Sequence, residues 1–125
     1  MIINNELLSL DDRLNKVFNG LVDMALVEEQ PMKLPDLSIT EYTETAYLQQ
    51  EDAFIFVKNK INRMVDTLLQ YHMVDEMGLK PFGVAYFCTD YSGINQLLSA
   101  YQAKLSEFDE AIKKIETIAS LNGLI

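Results

Sequence analysis

His72 is the only histidine in this sequence and the one residue around which a metal or acid–base site could form. On a helix, Asp75 and Glu76 would follow it by three and four residues, so all three side chains could project from one face. A di-iron site in a helical bundle needs two glutamate–histidine pairs and two further carboxylates. Because no second histidine exists, we expect His72 to be a hydrogen-bonded or surface residue.

Adjacent carboxylates are frequent but point away from catalysis. General acid–base chemistry needs two carboxylates in unlike environments that face one cleft. Neighbouring residues on a helix point about 100° apart, and these pairs fall outside the apolar stripes, so we expect solvated helix faces and helix ends. We likewise expect the basic residues to lie on solvated helix faces or in salt bridges. The acidic pairs are Asp11-Asp12, Glu28-Glu29, Glu51-Asp52, Asp75-Glu76 and Asp109-Glu110, and the basic groups are Lys58, Lys60 and Arg63, and Lys104, Lys113 and Lys114.

The remaining reactive residue types form no recognisable site. Cys88 is the single cysteine, so no intramolecular disulfide is possible, and its aromatic neighbours suggest a buried, inert thiol. The glycines, at positions 20, 78, 83, 93 and 123, give neither a phosphate-binding loop nor a dinucleotide fingerprint. We therefore expect no enzyme, no metal and no cofactor.

Charge and hydropathy narrow the class of partner. The net charge of −9 and the pI of about 4.4 have the wrong sign for nucleic acid or an anionic membrane surface. No signal-peptide pattern is present, and no apolar run approaches the ~20 residues needed to span a bilayer. We expect a cytoplasmic location, in a cell or an infected host, or a place within an assembled particle.

Apolar spacings of three and four residues predict three helices, over about 7–27, 51–77 and from Ile94 to an Asn122-Gly123 stop. Residues 38–49 mix strand-favouring and helix-favouring types, and we favour a short helix that runs into the next or is kinked against it. The aromatic run 81–89 predicts an extended connector or one strand of a hairpin. The predicted fold is mainly α, a single domain over 1–125. It is an antiparallel bundle of three to four helices with a short extended or hairpin segment near 81–89.

Capping and helix-stopping residues predict where the helices begin and end. Asn4, Asn5 or Ser9 could cap the first helix, and Gly78 is the predicted stop of the second. Gly20 lies inside the first apolar stripe, where it costs about 1 kcal/mol relative to alanine, which predicts a close helix crossing at that point.

Aromatic residues and the apolar residues near both ends of the sequence are the candidates for contact with a partner. Tyrosine and phenylalanine suit contact surfaces, and we expect apolar residues near the ends of the sequence to pack against protein surface. Phe56 falls beside the main stripe of its helix and widens the apolar face. The full set of candidate contact residues is Ile2, Ile3, Phe56, Phe82, Tyr86, Phe87, Leu124 and Ile125.

These features favour a non-enzymatic structural or adaptor subunit of a larger protein assembly, with a virion-like ring, neck or connector as the favoured instance. We expect protein partners, as a homo-oligomer or a larger complex, and no contact with nucleic acid or membrane. The alternative is a small acidic regulator, inhibitor or chaperone that binds a basic protein surface. An enzyme or small-ligand binder is the third hypothesis, and only His72, Asp75 and Glu76 support it.

Overall fold

The computed structural model describes the backbone of residues 2–27, 44–73, 81–82 and 94–125. Three α-helices account for most of these residues: α1 is Ile2–Asp23, α2 is Glu44–Gln70 and α3 is Ile94–Leu121. No strand occurs within these ranges. The mainly helical prediction is therefore confirmed, whereas most of the predicted segment 81–89 lies outside the described residues.

The helix boundaries differ from the predicted ones at several ends. α1 begins at Ile2, so Asn4, Asn5 and Ser9 lie inside the helix and the prediction that one of them caps it is wrong. α2 includes 44–49 without interruption, so the described part of the ambiguous region is the first part of one long helix. α2 then ends at Gln70, short of the predicted 77.

The three predicted apolar stripes meet in one core. Twelve of its members are large side chains that are fully buried, among them Phe54, Ile61 and Phe108. The rings of Phe54 and Tyr101 stack with their centroids 4.7 Å apart, which joins α2 to α3. The core residues are Leu7, Leu10, Leu14, Val17, Phe18, Leu21, Ala53, Phe54, Val57, Ile61, Met64, Val65, Leu68, Tyr101, Leu105, Phe108, Ile112, Ile115, Ile118, Ala119 and Leu124.

All three helices run in the same direction. Along α1 and α3, a groove brings Glu6 to the level of Gln102, and the segment after α3 reaches Gly20 with Leu124. Along α1 and α2, Asp11 pairs with Lys60, and the hydroxyl of Tyr71 donates a hydrogen bond to the carbonyl of Leu26. Residue numbers rise together in both pairs, so the carboxyl ends of the three helices lie at one end of the molecule.

The predicted antiparallel arrangement is therefore wrong. Antiparallel neighbours are typical of bundles in which short loops join consecutive helices. Here the segments between the helices span about 20 residues each, from 24–43 and from 71–93. At about 3.3 Å per extended residue, such a segment can return along the whole length of a helix of about 40 Å.

The same backbone device ends each helix. The second residue after each helix has a positive φ, at Ala25 (58°), His72 (54°) and Gly123 (74°). The next amide donates back across the last turn, from Leu26 to Leu21 at 2.9 Å, and likewise from Met73 to Leu68 and from Leu124 to Ala119. This is the Schellman motif, in which a left-handed residue lets the chain satisfy the helix's last carbonyls. The predicted stop at Asn122-Gly123 is confirmed.

An apolar side chain follows each of these left-handed residues and packs on the core. Leu26 and Met73 are partly buried against it, and Leu124 belongs to it. Each helix is thus fixed at its carboxyl end by a backbone turn and an apolar contact together.

Candidate functional site

His72, the centre of the face predicted with Asp75 and Glu76, lies beyond the end of α2. It is exposed and has the left-handed backbone that ends α2, so the helix does not continue through it. Residues 75 and 76 lie outside the described residues. Among the side chains that the structure describes, no group of three or more histidine, cysteine or acidic residues could hold a metal ion.

The candidate contact residues are distributed over several environments. Phe56 and Phe82 are partly buried against the core of their own chain, and Leu124 is a core member, whereas Ile125 is exposed. Ile2 and Ile3 lie in the first turn of α1, and Tyr86 and Phe87 lie outside the described residues. A role in partner contact stays a prediction for all eight.

Phe82 is held by a two-point backbone contact. Its amide donates to Asn62 Oδ1 at 2.8 Å, and its carbonyl accepts from Asn62 Nδ2 at 3.0 Å. Its ring meets Phe108 edge-on with the centroids 5.4 Å apart. The amide of Asn62 therefore holds this point of the long connection against α2 and α3.

Gly20 allows the segment after α3 to cross α1 in direct backbone contact. A Cβ placed on Gly20 would lie 2.9 Å from the carbonyl carbon and 3.0 Å from the Cα of Leu124, with the carbonyl oxygen nearer still. Real Cβ atoms do not approach backbone so closely, so only glycine fits. The sequence predicted a close helix crossing at Gly20, but the close neighbour is the residue that follows the α3 stop.

Arg13 of α1 joins two carboxylates of α3. Its guanidinium donates to Glu116 and to Asp109, which lie about two turns apart on the same face of α3. Asp109 also accepts from Lys113 Nζ at 3.0 Å on its own helix. The hydrogen bond from Arg13, followed by that from Lys113, lowers the pKa of Asp109, and the hydrogen bond to Glu116 raises the pKa of Arg13.

A second ion pair lies inside the core between α1 and α2. Lys60 Nζ is 2.7 Å from Asp11 Oδ1, and both side chains are almost fully buried. Asn15 Nδ2 donates to the other Asp11 oxygen at 3.3 Å, while Asn15 Oδ1 is buried and accepts no hydrogen bond from the described residues. The expectation that Asp11 lies on a solvated face is therefore wrong, because a buried cation on α2 compensates its charge.

A groove of about 430 Å³ follows the α1–α3 seam. It is lined by Glu6, Ser9, Leu10, Arg13, Gln102, Leu105, Ser106 and Asp109. Two of its three charged side chains, Arg13 and Asp109, form a salt bridge with each other. The Asp109 carboxylate in this groove therefore has a structural partner on α1.

The carboxyl ends of the three helices carry exposed large apolar side chains. We call the residues 17–27, 64–73 and 115–125 the C-terminal end. Every large apolar side chain that is exposed among the described residues lies here: Met24, Leu69, Tyr71, Leu121 and Ile125. These five residues form the candidate contact surface.

Met24, Leu69 and Tyr71 continue the three-and-four apolar spacing that predicts the helices, yet the structure leaves them exposed. The stripes continue past the last layer of the core, so the same spacing that buries Leu21 and Leu68 leaves the next apolar residue in solvent. The signal was present as periodicity, but periodicity alone does not tell where a core stops. The ion-pair partners of Asp11 and Arg13 had no sequence signal, because they lie 49 to 103 residues away.

None of the described helices combines the length and apolar character that crossing a membrane requires. Comparison with protein-family models, with curated proteins and with solved structures finds no match to this chain.

Proposed function

We propose that this chain is a non-enzymatic contact protein, a structural or adaptor subunit of a larger protein assembly, with a virion-like ring, neck or connector as the favoured instance. The observation that carries the proposal is the collection of exposed apolar side chains at the C-terminal end. Burying apolar surface is favourable by roughly 25 cal/mol per Å², and side chains such as Leu121, which is 77% exposed, gain from being covered.

The charged residues of the helix seams support the same proposal. Arg13 joins α1 to α3, and the Asp11–Lys60 pair joins α1 to α2, so each has a structural explanation. Such charges orient helices against one another and contribute to a defined shape. A defined shape with an apolar end is what an assembly subunit needs.

A small acidic regulator, inhibitor or chaperone that binds a basic protein surface is the second candidate. Its support is the net charge of −9 and the lack of lysine and arginine in the C-terminal end. Attraction of this kind weakens with salt over a Debye length of about 8 Å at physiological ionic strength.

The native size of the chain in gently lysed source cells tests the proposal. We expect gel filtration with antibody detection to place it well above its monomer mass of 14.3 kDa, in a discrete peak that persists in about 1 M salt. A large peak that collapses to monomer in salt would favour the acidic regulator. Elution as monomer at every salt concentration would contradict the assembly proposal.

A further inference from the structure

We propose that the C-terminal end docks a basic amphipathic segment of a partner protein, whose apolar side chains cover Met24, Leu69 and Leu121 while flanking lysine or arginine residues meet the exposed Asp23 and Asp66. This inference rests on the proposed contact function and specifies the chemistry of the partner.

The exposed apolar side chains lie together at the C-terminal end. Met24 is 47% exposed, Leu69 45% and Leu121 77%, and each continues the apolar stripe of a different helix. Single exposed apolar residues are ordinary on protein surfaces, but here all of them among the described side chains gather at one end. Contacts tie the three helix ends together there, from Tyr71 to Leu26 and from Leu124 to Gly20.

The C-terminal end also lacks lysine and arginine of its own, although Arg63, the residue just before it on α2, lies over the Phe18 ring, 5.9 Å from the ring centroid. Residues 17–27, 64–73 and 115–125 contain no lysine or arginine, and two of their acidic residues, Asp23 and Asp66, are exposed. The last turns of α1, α2 and α3 hold no basic residue. Each helix terminus also carries about half a negative charge on its last carbonyls, and the parallel arrangement places three such termini together.

This charge distribution selects the occupant. A second copy joined end to end would bring three negative helix termini, Asp23 and Asp66 against the same features, and like charges juxtaposed at an interface are unfavourable. A segment with apolar residues and flanking cations would cover the exposed apolar side chains and bring positive charge to the negative ends of the helices. With helix axes about 8–10 Å apart, the end is on the order of 20 Å across, which suits a helix of three to four turns.

Two synthetic peptides test the proposal on the purified full chain. One is an amphipathic helix of about 18 residues built from leucine and lysine, and the other replaces every lysine with glutamate. We expect the leucine–lysine peptide to bind at least about 10-fold more tightly. In NMR titrations, amide shifts should concentrate on 19–27, 66–73 and 118–125.

Matched variants separate this end from general attraction to an acidic protein. The double variant Asp23→Asn, Asp66→Asn removes two exposed charges from the end, and Asp12→Asn, Glu110→Gln removes two exposed charges elsewhere. We expect the first to weaken binding of the leucine–lysine peptide by about 5-fold or more and the second by less than about 2-fold. Leu69→Gln with Leu121→Gln should weaken it further, with an unchanged melting temperature as the control for folding.

Equal losses in the two charge variants would overturn the proposal, as would shifts that avoid the C-terminal end or equal binding of the leucine–glutamate peptide. Self-association through this end, detected by light scattering and abolished by Leu69→Gln with Leu121→Gln, would identify a second copy as occupant and also overturn it. A large native complex without peptide binding at this end would leave the assembly proposal standing and remove only this inference.

Discussion

Ala25, His72 and Gly123 occupy the same position in three helix-ending motifs, but only one of them is glycine. A left-handed backbone costs an L-residue with a Cβ roughly 1–2 kcal/mol, and histidine tolerates it better than alanine. The one histidine, which the sequence offered as the centre of a reactive site, therefore lies at a position defined by its backbone conformation.

We expect Ala25→Gly to raise the free energy of unfolding by about 0.5–1 kcal/mol, because glycine adopts the φ of 58° without a Cβ penalty. His72→Gly should stabilise by less, and Gly123→Ala should destabilise by about 1 kcal/mol. Urea denaturation of the three variants measures these changes. A destabilised Ala25→Gly variant would contradict the assignment of its backbone.

The effect of Gly20→Ala on stability should change sign when the segment after α3 is removed. In the full chain it should destabilise by roughly 1–3 kcal/mol, because its Cβ would meet the backbone of Leu124. In a chain that ends at Leu121 the same substitution should stabilise by up to about 1 kcal/mol, since alanine favours a helix. A double-mutant cycle measured by denaturation tests this, and the same sign in both backgrounds would disprove the contact.

At the scale of the elements, two polar contacts fix the helices relative to one another, and they differ in burial. The Asp11–Lys60 pair is almost fully buried, whereas Arg13 and its partners on α3 are about one quarter to one third exposed. Buried and solvated ion pairs respond differently to the removal of one partner.

We expect Lys60→Met to destabilise by about 3–5 kcal/mol, because it leaves the Asp11 carboxylate buried without its cation. Replacing both partners, as Asp11→Leu with Lys60→Met, should recover about half of that loss or more. Lys113→Met, which removes a lysine 68% exposed from the pair with Asp109, should change stability by less than about 1 kcal/mol. Equal effects of the two single lysine substitutions would contradict the buried placement of Lys60.

The α1–α3 seam should contribute a pH-dependent term. The pKa of Asp109 is lowered in the folded protein, so its contribution is present above the unfolded value of about 4 and is lost as pH falls through the folded value. Asp109→Asn should therefore cost up to about 1 kcal/mol near pH 7, with the difference from wild type vanishing in strong acid. Thermal unfolding between pH 2 and 7 measures it, with the exposed neighbour variant Glu110→Gln as the control.

The elements also show what periodicity can predict. It identified all three helices and most of the core, because apolar residues three and four positions apart must share a face. It misplaced the end of α2, since the stop at His72 depends on a left-handed residue that carries no glycine signal. It also missed both ion-pair networks, whose partners come together only after folding.

At the scale of the whole molecule, the sequence indicated helices but not their direction. Composition and periodicity are the same for parallel and antiparallel packing, so neither of them distinguishes the two arrangements. Gly20 and Leu124 decide the direction in the structure, because their backbones meet at the carboxyl ends of α1 and α3. No local sequence pattern at Gly20 or at Leu124 predicts their contact.

Distances between spin labels test the parallel arrangement. In a Cys88→Ser background, labels at Asp23→Cys and Ser120→Cys should lie on the order of 10–20 Å apart, as neighbouring helix ends do. Labels at Asp23→Cys and Ser99→Cys should lie about 30 Å apart, since 21 residues of α3 separate the two α3 positions. An antiparallel molecule would exchange the two results.

The parallel arrangement also bears on how the chain folds. No two helices can dock by closing a tight loop, and contacts such as Arg13 with Glu116 join residues 103 positions apart. The chain must lose the entropy of closing these long loops before packing compensates for it, so its relative contact order is high for an all-helical protein of this size. Its refolding after dilution from denaturant is accordingly expected to be slower than that of a helical hairpin protein of equal length.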